Sequence, residues 1–429
     1  MNVRIYPHEL SGTVRAIASK SVAHRTLIMA ALADGPCDVD CLTSSADIDA
    51  TVSCLEALGA QVTRTKLGFR VIPLTRGNIS HEVTLDCGES GSTLRFLLPV
   101  VAALGVPARF LMRGRLSERP LSPLDQQLAE HGVAIERAGD QLVMAGQLTP
   151  GRFLLPGDVS SQFASGLLMA STLLDAPSEV CLRKPVESRP YVELTERTIE
   201  TFGVDVKVGS AHIDATPYER FSLRGGHIGS PGDVQVEGDW SNAAFWLAAG
   251  ALGGSGVSVM GLDALSPQGD RQVLAALAIL GARISRSRAS AAAKCDDLLG
   301  CRLDMGATPD LVPALAAVAA YAEGDTYLGS VARLRLKESD RLETVCAALT
   351  AMGGSALALD DVLIIHGGTL TGGTVHAAND HRIAMMAAIA ATRAEGPTTI
   401  IGAECVSKSY PHFFDDFASL NGSFEILED

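Results

Sequence analysis

Aromatic residues are scarce in this chain of 429 residues, at 5% with two tryptophans, and 35 Lys and Arg stand against 49 Asp and Glu for a net charge of −14. A surface of that sign repels nucleic acid and anionic membranes, and few aromatic rings leave few platforms for stacking bases. Broad binding to either is therefore excluded, and any anionic ligand must be met by a local cluster of cations. Cys37, Cys41, Cys54, Cys87, Cys181, Cys295, Cys301, Cys346 and Cys405 are odd in number and form neither a C-x-x-C pair nor a Cys/His group at zinc-finger spacing. They read as reduced core thiols, which excludes a disulfide scaffold. The start, MNVRIYPHEL, lacks the basic residues and apolar run of a signal peptide, so the expected location is cytoplasmic. Ala243 to Leu262 is uncharged over the length of a membrane span, but Gly253, Gly254 and Gly256 interrupt it and make it helix, turn and strand. Also missing are G-x-x-x-x-G-K-[ST] and G-x-G-x-x-G, so ATP and NAD lose support.

What remains is a globular composition, 47% hydrophobic and 20% charged. At about 150 residues per domain the length suggests two or three domains. The chain is also periodic. Helix-like stretches end in EALGAQV, AEHGVAI, ETFGVDV, AILGARI, TAMGGSA and ASLNGSF, whose glycines, Gly59, Gly132, Gly203, Gly281, Gly353 and Gly422, are spaced by 73, 71, 78, 72 and 69 residues. Glycine at a helix C-terminus supplies the left-handed residue that closes the last turn, so each is expected to be a cap. Each copy also holds an earlier Ala- and Leu-rich helix, as in TLIMAALADGPCDVDCL, that is nearly apolar all round and so buried. Six α+β units make two domains of three, with SPGDVQVEG near Ser230 as one linker between them.

Polar residues gather at the expected helix starts, where free N–H groups and the dipole attract anions. Serine and aspartate there are ordinary caps. Cations are not, because Lys20, Arg119, Lys337, Arg382 and Lys408 would each oppose the dipole by about 0.3–1 kcal/mol. Their recurrence at equivalent repeat positions points to a shared anionic ligand. In RLRLKESDR, Lys337 and Arg341 are like charges four residues apart, which suits a pair that holds an anion while Glu338 exchanges a proton. GESGSTLR, from Gly88 to Arg95, has the look of a phosphate-cradling turn in which Gly91 admits the ligand. His24 and His381 read as structural histidines, and no second histidine at metal spacing accompanies His381, so no metal site is expected.

In order along the chain, SKS with Arg25, the glycine turn, ERP, SSQ, SRPY, GDWSNAAF, the Thr308–Asp310 turn, KESDR, NDHR and SKSYP resemble the 3-phosphoshikimate 1-carboxyvinyltransferases, also called 5-enolpyruvylshikimate-3-phosphate synthases. The resemblance implies the enolpyruvyl transferase fold, an α+β inside-out α/β barrel of two domains, each built of three repeated α/β units with buried parallel helices. By it, residues 1–17 plus 233–429 form one domain and 18–232 the other, joined by a double-crossover hinge that closes over substrates. It implies transfer of the enolpyruvyl group from phosphoenolpyruvate to the 5-hydroxyl of shikimate 3-phosphate, with release of phosphate and no cofactor, by a monomer without nucleic-acid or membrane partner. Lys20, Gly91, Arg119, Gln162, Arg341, Arg382 and Lys408 are the implied phosphoenolpyruvate contacts. Lys20, Ser21, Arg25, Ser160, Ser161, Gln162, Ser188, Asp310 and Lys337 are those for shikimate 3-phosphate, and Asp310, Glu338 and Lys20 the catalytic residues. The sequence departs from the family at Glu89, where Asn is common, and at Arg333.

Three alternatives follow. The UDP-N-acetylglucosamine 1-carboxyvinyltransferases carry a reactive cysteine five residues before the Arg-Pro of a closing loop, and here Gly114 holds that position. A non-catalytic anion-binding protein of the same fold would gain nothing from carboxylates placed among phosphates, as Asp310 and Glu338 would be. An RNA-processing enzyme built of related repeats is disfavoured by the acidic balance.

Overall fold

The computed structural model describes residues 1–77, 79 and 82–427. Short strands with alternating buried residues, such as Asn2–Tyr6 with Val3 and Ile5 fully buried and Gly256–Met260 with Val257 and Val259, each turn one apolar face inward. Such strands need helices to cover that face. Among the described residues they form six four-stranded sheets of one pattern, a parallel pair followed by two antiparallel neighbours. In the sheet of Arg152–Pro156, Pro177–Arg183, Thr216–Arg224 and Lys207–Ile213, the helix Ser161–Ser171 joins the parallel strands, and the helix Arg189–Thr201 leads into the hairpin. The other five keep this strand arrangement, and the sheets that begin at Val83–Asp86 and Arg302–Asp304 keep its chain order as well.

The contacts divide the chain into two units, Lys20–Val236 and, in the other, Met1–Ser19 with the chain from Glu237 onward. Each unit holds three sheets. The leading strands are exchanged. Ser11–Arg15 precedes the helix Lys20–Leu32 but pairs with Gly256–Met260, whereas Asp233–Gln235 precedes the helix Trp240–Leu252 but pairs with Cys37–Asp40. Where the chain leaves and re-enters the unit containing the N-terminus, Ser19 N–H donates to Glu237 O at 2.8 Å and Asp239 N–H to Ile17 O at 2.8 Å.

The first helix of each repeat is the buried one. Trp240–Leu252, Val312–Ala319 and His381–Ala391 have every residue buried and pack on one another. Small residues let these helices approach closely; a side chain at Gly166 would run into Arg95 O and Pro99 of the neighbouring helix Gly91–Leu104. The uncharged stretch near residue 250 is, as expected, a helix to Leu252 and a strand from Gly256. No helix among the described residues is long and apolar enough to cross a membrane.

Three expectations need correction. Gly59, Gly132, Gly203, Gly281 and Gly353 take positive φ just past a helix, but in the sixth repeat Asn421, at φ 69°, holds that position and Gly422 follows it. Asn tolerates the left-handed region because its short amide bonds locally to the backbone. Arg119, Lys337 and Lys408 do not lie in α-helical first turns. They close the 3₁₀ turns Gly114–Glu118, Ala332–Leu336 and Ala403–Lys408, so only Lys20 and Arg382 face an α-helix dipole directly. Finally, Cys295, Cys301 and Cys346 are half-buried rather than core, while all nine cysteines are free thiols.

Candidate active site

Within the Lys20–Val236 unit, helix starts gather the sequence-predicted residues. Lys20, first in its helix, donates from Nζ to Asp47 Oδ2 at 2.7 Å. Gly91 opens the helix Gly91–Leu104, with Ser90 as its cap, and the Arg119 guanidinium lies where a Cβ on Gly91 would sit. The glycine thus makes room for a cation of the site as well as for a ligand. Gln162 ties two helix starts together, accepting from Arg95 Nη1 at 2.8 Å and donating to Ser92 Oγ at 2.9 Å. Ser160 caps the helix that Ser161 begins. Ser188 starts the helix Arg189–Thr201 at φ 51°, a left-handed conformation that costs a serine roughly 1–2 kcal/mol.

Arg25 is held by the protein around it. It is buried, donating to Thr195 Oγ1 at 2.7 Å, Ser21 O at 2.6 Å, Ser165 Oγ at 3.1 Å and Tyr191 O at 3.0 Å, with its guanidinium over the Phe96 ring. Four of its five N–H groups are committed to the protein. Burial pushes its pKa down to about 9, so at neutral pH it remains a cation. In this structure it clamps helices together.

In the other unit, Arg341 is the hub. Only 1% exposed, it donates from Nε to Asp380 Oδ2 at 2.8 Å, from Nη1 to Asp310 Oδ1 at 2.9 Å and from Nη2 to Glu338 Oε2. Three carboxylates enclose one guanidinium, and they hold its proton more tightly than usual against the opposing effect of burial. Asp310, in the 3₁₀ turn Pro309–Leu311, also meets Lys337 Nζ at 3.2 Å and Arg382 Nη2 at 3.7 Å. Burial would raise the Asp310 pKa, but Lys337, Arg382 and Arg341 together outweigh it and keep the carboxyl well below its ordinary range. Arg382 donates to Ser241 Oγ at 2.7 Å and Asp310 O at 3.1 Å, which brings the starts of three buried helices together. Lys408 reaches Asn379 O at 2.6 Å.

Asp310, Glu338, Lys337, Arg341 and Arg382 therefore form one cluster, with Lys408 bonded at its edge. Gly91, Arg119, Gln162, Ser160 and Ser161 form another. Lys20, Ser21, Arg25 and Ser188 lie at neighbouring helix starts of that second unit. The sequence reading passed over Asp380, Asp47 and Arg95. Asp380 looked like an ordinary cap, and it is one, accepting from Arg382 N–H at 3.0 Å. The signal for a second role was its place directly before His381 and Arg382.

The two departures take defined places. The Glu89 carboxylate fills the space a side chain at Gly114 would need, so a cysteine there would collide with it. Arg333 donates to Gly306 O at 2.7 Å, bracing the loop that leads to Asp310. Among the described residues, no group of three or more His, Cys, Asp and Glu is arranged to hold a metal ion.

Residues 6–417 match the family model of EPSP synthase (3-phosphoshikimate 1-carboxyvinyltransferase). A 3-phosphoshikimate 1-carboxyvinyltransferase from Clostridium kluyveri is 38% identical over 429 residues, covering 99% of this chain and 98% of the relative. One from Clostridium perfringens strain SM101 is 38% identical over 427 residues, covering 98% of each. Among solved structures, an EPSP synthase from Acinetobacter baumannii superposes with a TM-score of 0.80 at 27% identity, over 99% of this chain and 100% of that one. The enolpyruvyl transferase NikO from Streptomyces tendae has a TM-score of 0.75 at 20% identity, over 99% and 98%, and attests the fold. With the six repeats, the two-unit α+β architecture and the matching motifs in order, these likenesses establish that the chain belongs to the EPSP synthase (3-phosphoshikimate 1-carboxyvinyltransferase) family.

Proposed function

We propose that the two clusters serve one reaction, the family's transfer of the enolpyruvyl group of phosphoenolpyruvate to the 5-hydroxyl of shikimate 3-phosphate. Both substrates carry a phosphate and a carboxylate, and the cations Lys20 and Arg382 at helix starts, with Arg119, Lys337 and Lys408 at the ends of 3₁₀ turns, suit such groups. The 5-hydroxyl loses its proton to Asp310 as its oxygen bonds to the central carbon of phosphoenolpyruvate, while the methylene takes a proton from Glu338. Lys20 stabilises the charge that develops. The tetrahedral intermediate then expels phosphate and loses the proton gained at the methyl carbon, restoring the vinyl group. Only protons and a carboxyvinyl group move, so the chemistry calls for no redox cofactor.

The observation that carries this reading is a pair of carboxylates, Asp310 and Glu338, held by one buried arginine among further cations. An anion-binding protein would be weakened by that pair, whereas an enzyme that moves two protons needs it. The protein acts as a monomer in the cytoplasm, and its net charge of −14 disfavours nucleic acid and membrane as partners. Phosphate release from phosphoenolpyruvate tests the reading. Release with shikimate 3-phosphate and not with UDP-N-acetylglucosamine is expected; release with the nucleotide sugar alone overturns the acceptor, and silence with both overturns catalysis.

A further inference from the structure

A chain of buried side chains in the Lys20–Val236 unit has no part in the proposed reaction. His24, fully buried in the helix Lys20–Leu32, places Nδ1 2.7 Å from Thr51 Oγ1. Thr51 Oγ1 lies 2.7 Å from Thr93 Oγ1, and Thr93 Oγ1 lies 2.8 Å from Ser90 Oγ, the cap of the helix that begins at Gly91. Thr51, Thr93 and Ser90 are buried as well. The relay thus starts one turn beyond Lys20 and ends at the anion turn.

The relay has a direction, because each hydroxyl owns a single proton. Thr93 donates to Ser90 at 2.8 Å in preference to the Asp47 carbonyl at 3.4 Å. Thr93 therefore accepts from Thr51, and Thr51, its proton committed, accepts from His24 Nδ1–H. That tautomer leaves Nε2 as a bare acceptor, and Nε2 has no hydrogen-bond partner among the described residues. A buried lone pair is tolerated somewhat better than a buried N–H, so geometry and cost select the same tautomer. Burial first, then Lys20 and Arg25, hold the imidazole pKa well below its usual value, so the ring is neutral. Ser90 Oγ in turn accepts from Thr93 N–H at 3.2 Å, which fixes the first turn of the helix.

We infer that His24 is a positioning residue for the anion turn. Its Nδ1–H orders the Thr51, Thr93 and Ser90 hydroxyls, and they fix the N–H groups after Gly91 that receive phosphoenolpyruvate. This rests on the assignment of that turn to phosphoenolpyruvate in the proposed function.

Steady-state kinetics with both substrates varied tests the idea in the full-length protein. Thr51→Val, nearly isosteric, and His24→Leu each break the relay and are expected to raise KM for phosphoenolpyruvate about tenfold, the size of one lost hydrogen bond. KM for shikimate 3-phosphate and kcat are expected to stay within about twofold. His24→Asn, which keeps a donor near the Nδ1 position, and Thr51→Ser are expected to restore KM. Hydrogen exchange is the substrate-free readout, with faster exchange in the peptide from Gly91 to Leu94 of Thr51→Val and no change across the helix Arg189–Thr201. Equal rises in both KM values, or a loss of melting temperature without a KM split, would reduce His24 to packing and overturn the inference. If wild type turns over while Thr51→Val is unaltered in KM and exchange, the relay alone fails; a silent wild type defeats the proposed function and this inference with it.

Discussion

As the proposed base, Asp310 has conflicting requirements. The cations that keep it ionised also make it a poor proton acceptor, since a carboxyl held well below its ordinary pKa binds a proton weakly. In the proposed reaction substrate anions resolve the conflict, because a phosphate or carboxylate bound to Lys337 or Arg382 would offset the positive field and raise the Asp310 pKa. In the free enzyme, Lys337→Met removes one of those cations, so the neutral acid gains and the acid limb of kcat/KM moves to higher pH. Substrate ionisations are common to both enzymes and cancel in the comparison, so a limb that stays in place or moves down contradicts the pairing. At the carboxylates themselves, Asp310→Asn and Glu338→Gln are expected to lower kcat by about 10²–10⁴-fold, the usual range for a proton-transfer group, with far smaller changes in substrate affinity by calorimetry. Equal losses in affinity and turnover would make both residues binders only.

At the scale of the element, two aspartates that cap helices differ in what else they hold. Asp340 caps the helix Arg341–Ala351, accepting from Glu343 N–H at 3.2 Å, and its second partner, Arg335, is partly exposed. Asp380 caps His381–Ala391 and also carries the buried guanidinium of Arg341. Asp340→Ala is expected to cost about 1 kcal/mol, the value of a cap. Asp380→Ala leaves a buried cation short of a partner and is expected to cost roughly 3–5 kcal/mol. Urea midpoints at constant slope measure both, and equal costs would mean that Asp310 and Glu338 suffice for Arg341. The same contrast explains what could be read from sequence. The repeat was legible because helix ends need a left-handed residue, and glycine supplies it in five of the six repeats. Asn421 hid the sixth, since the neighbouring Gly422 imitated the expected signal. Cations in the motifs were legible because their charge is anomalous beside a helix start, although three proved to end 3₁₀ turns, a distinction too local for periodicity to resolve. Asp380 was passed over for a related reason. Residue type reports charge, and only packing reports whether that charge faces a ligand or another side chain.

Over the whole molecule, the partners of the exchanged strands could not be read from the sequence pattern, because strands of three to five residues carry too little of it to name them. The exchange makes the first nineteen residues integral to a unit whose remainder begins at Glu237. Asn2–Tyr6 lies between Thr398–Ile401 and Ser423–Leu427 with Val3 and Ile5 fully buried, and Ser11–Arg15 forms the edge beside Gly256–Met260. A chain beginning at Lys20 would lose a central strand from one sheet and an edge strand from another, exposing apolar faces at about 25 cal/mol per Å². The cost falls on one unit, because the Lys20–Val236 unit keeps all its strands. Both tryptophans, Trp240 and Trp246, lie buried in the affected unit, so their emission reports on it alone. The shortened chain is therefore expected to show solvent-exposed tryptophan emission without denaturant while retaining a cooperative urea transition in far-UV circular dichroism from Lys20–Val236. A peptide of residues 1–19 added in trans is expected to shift the emission back to that of the full chain. Native emission in the shortened protein would mean that the unit beginning again at Glu237 folds without Asn2–Tyr6 and Ser11–Arg15.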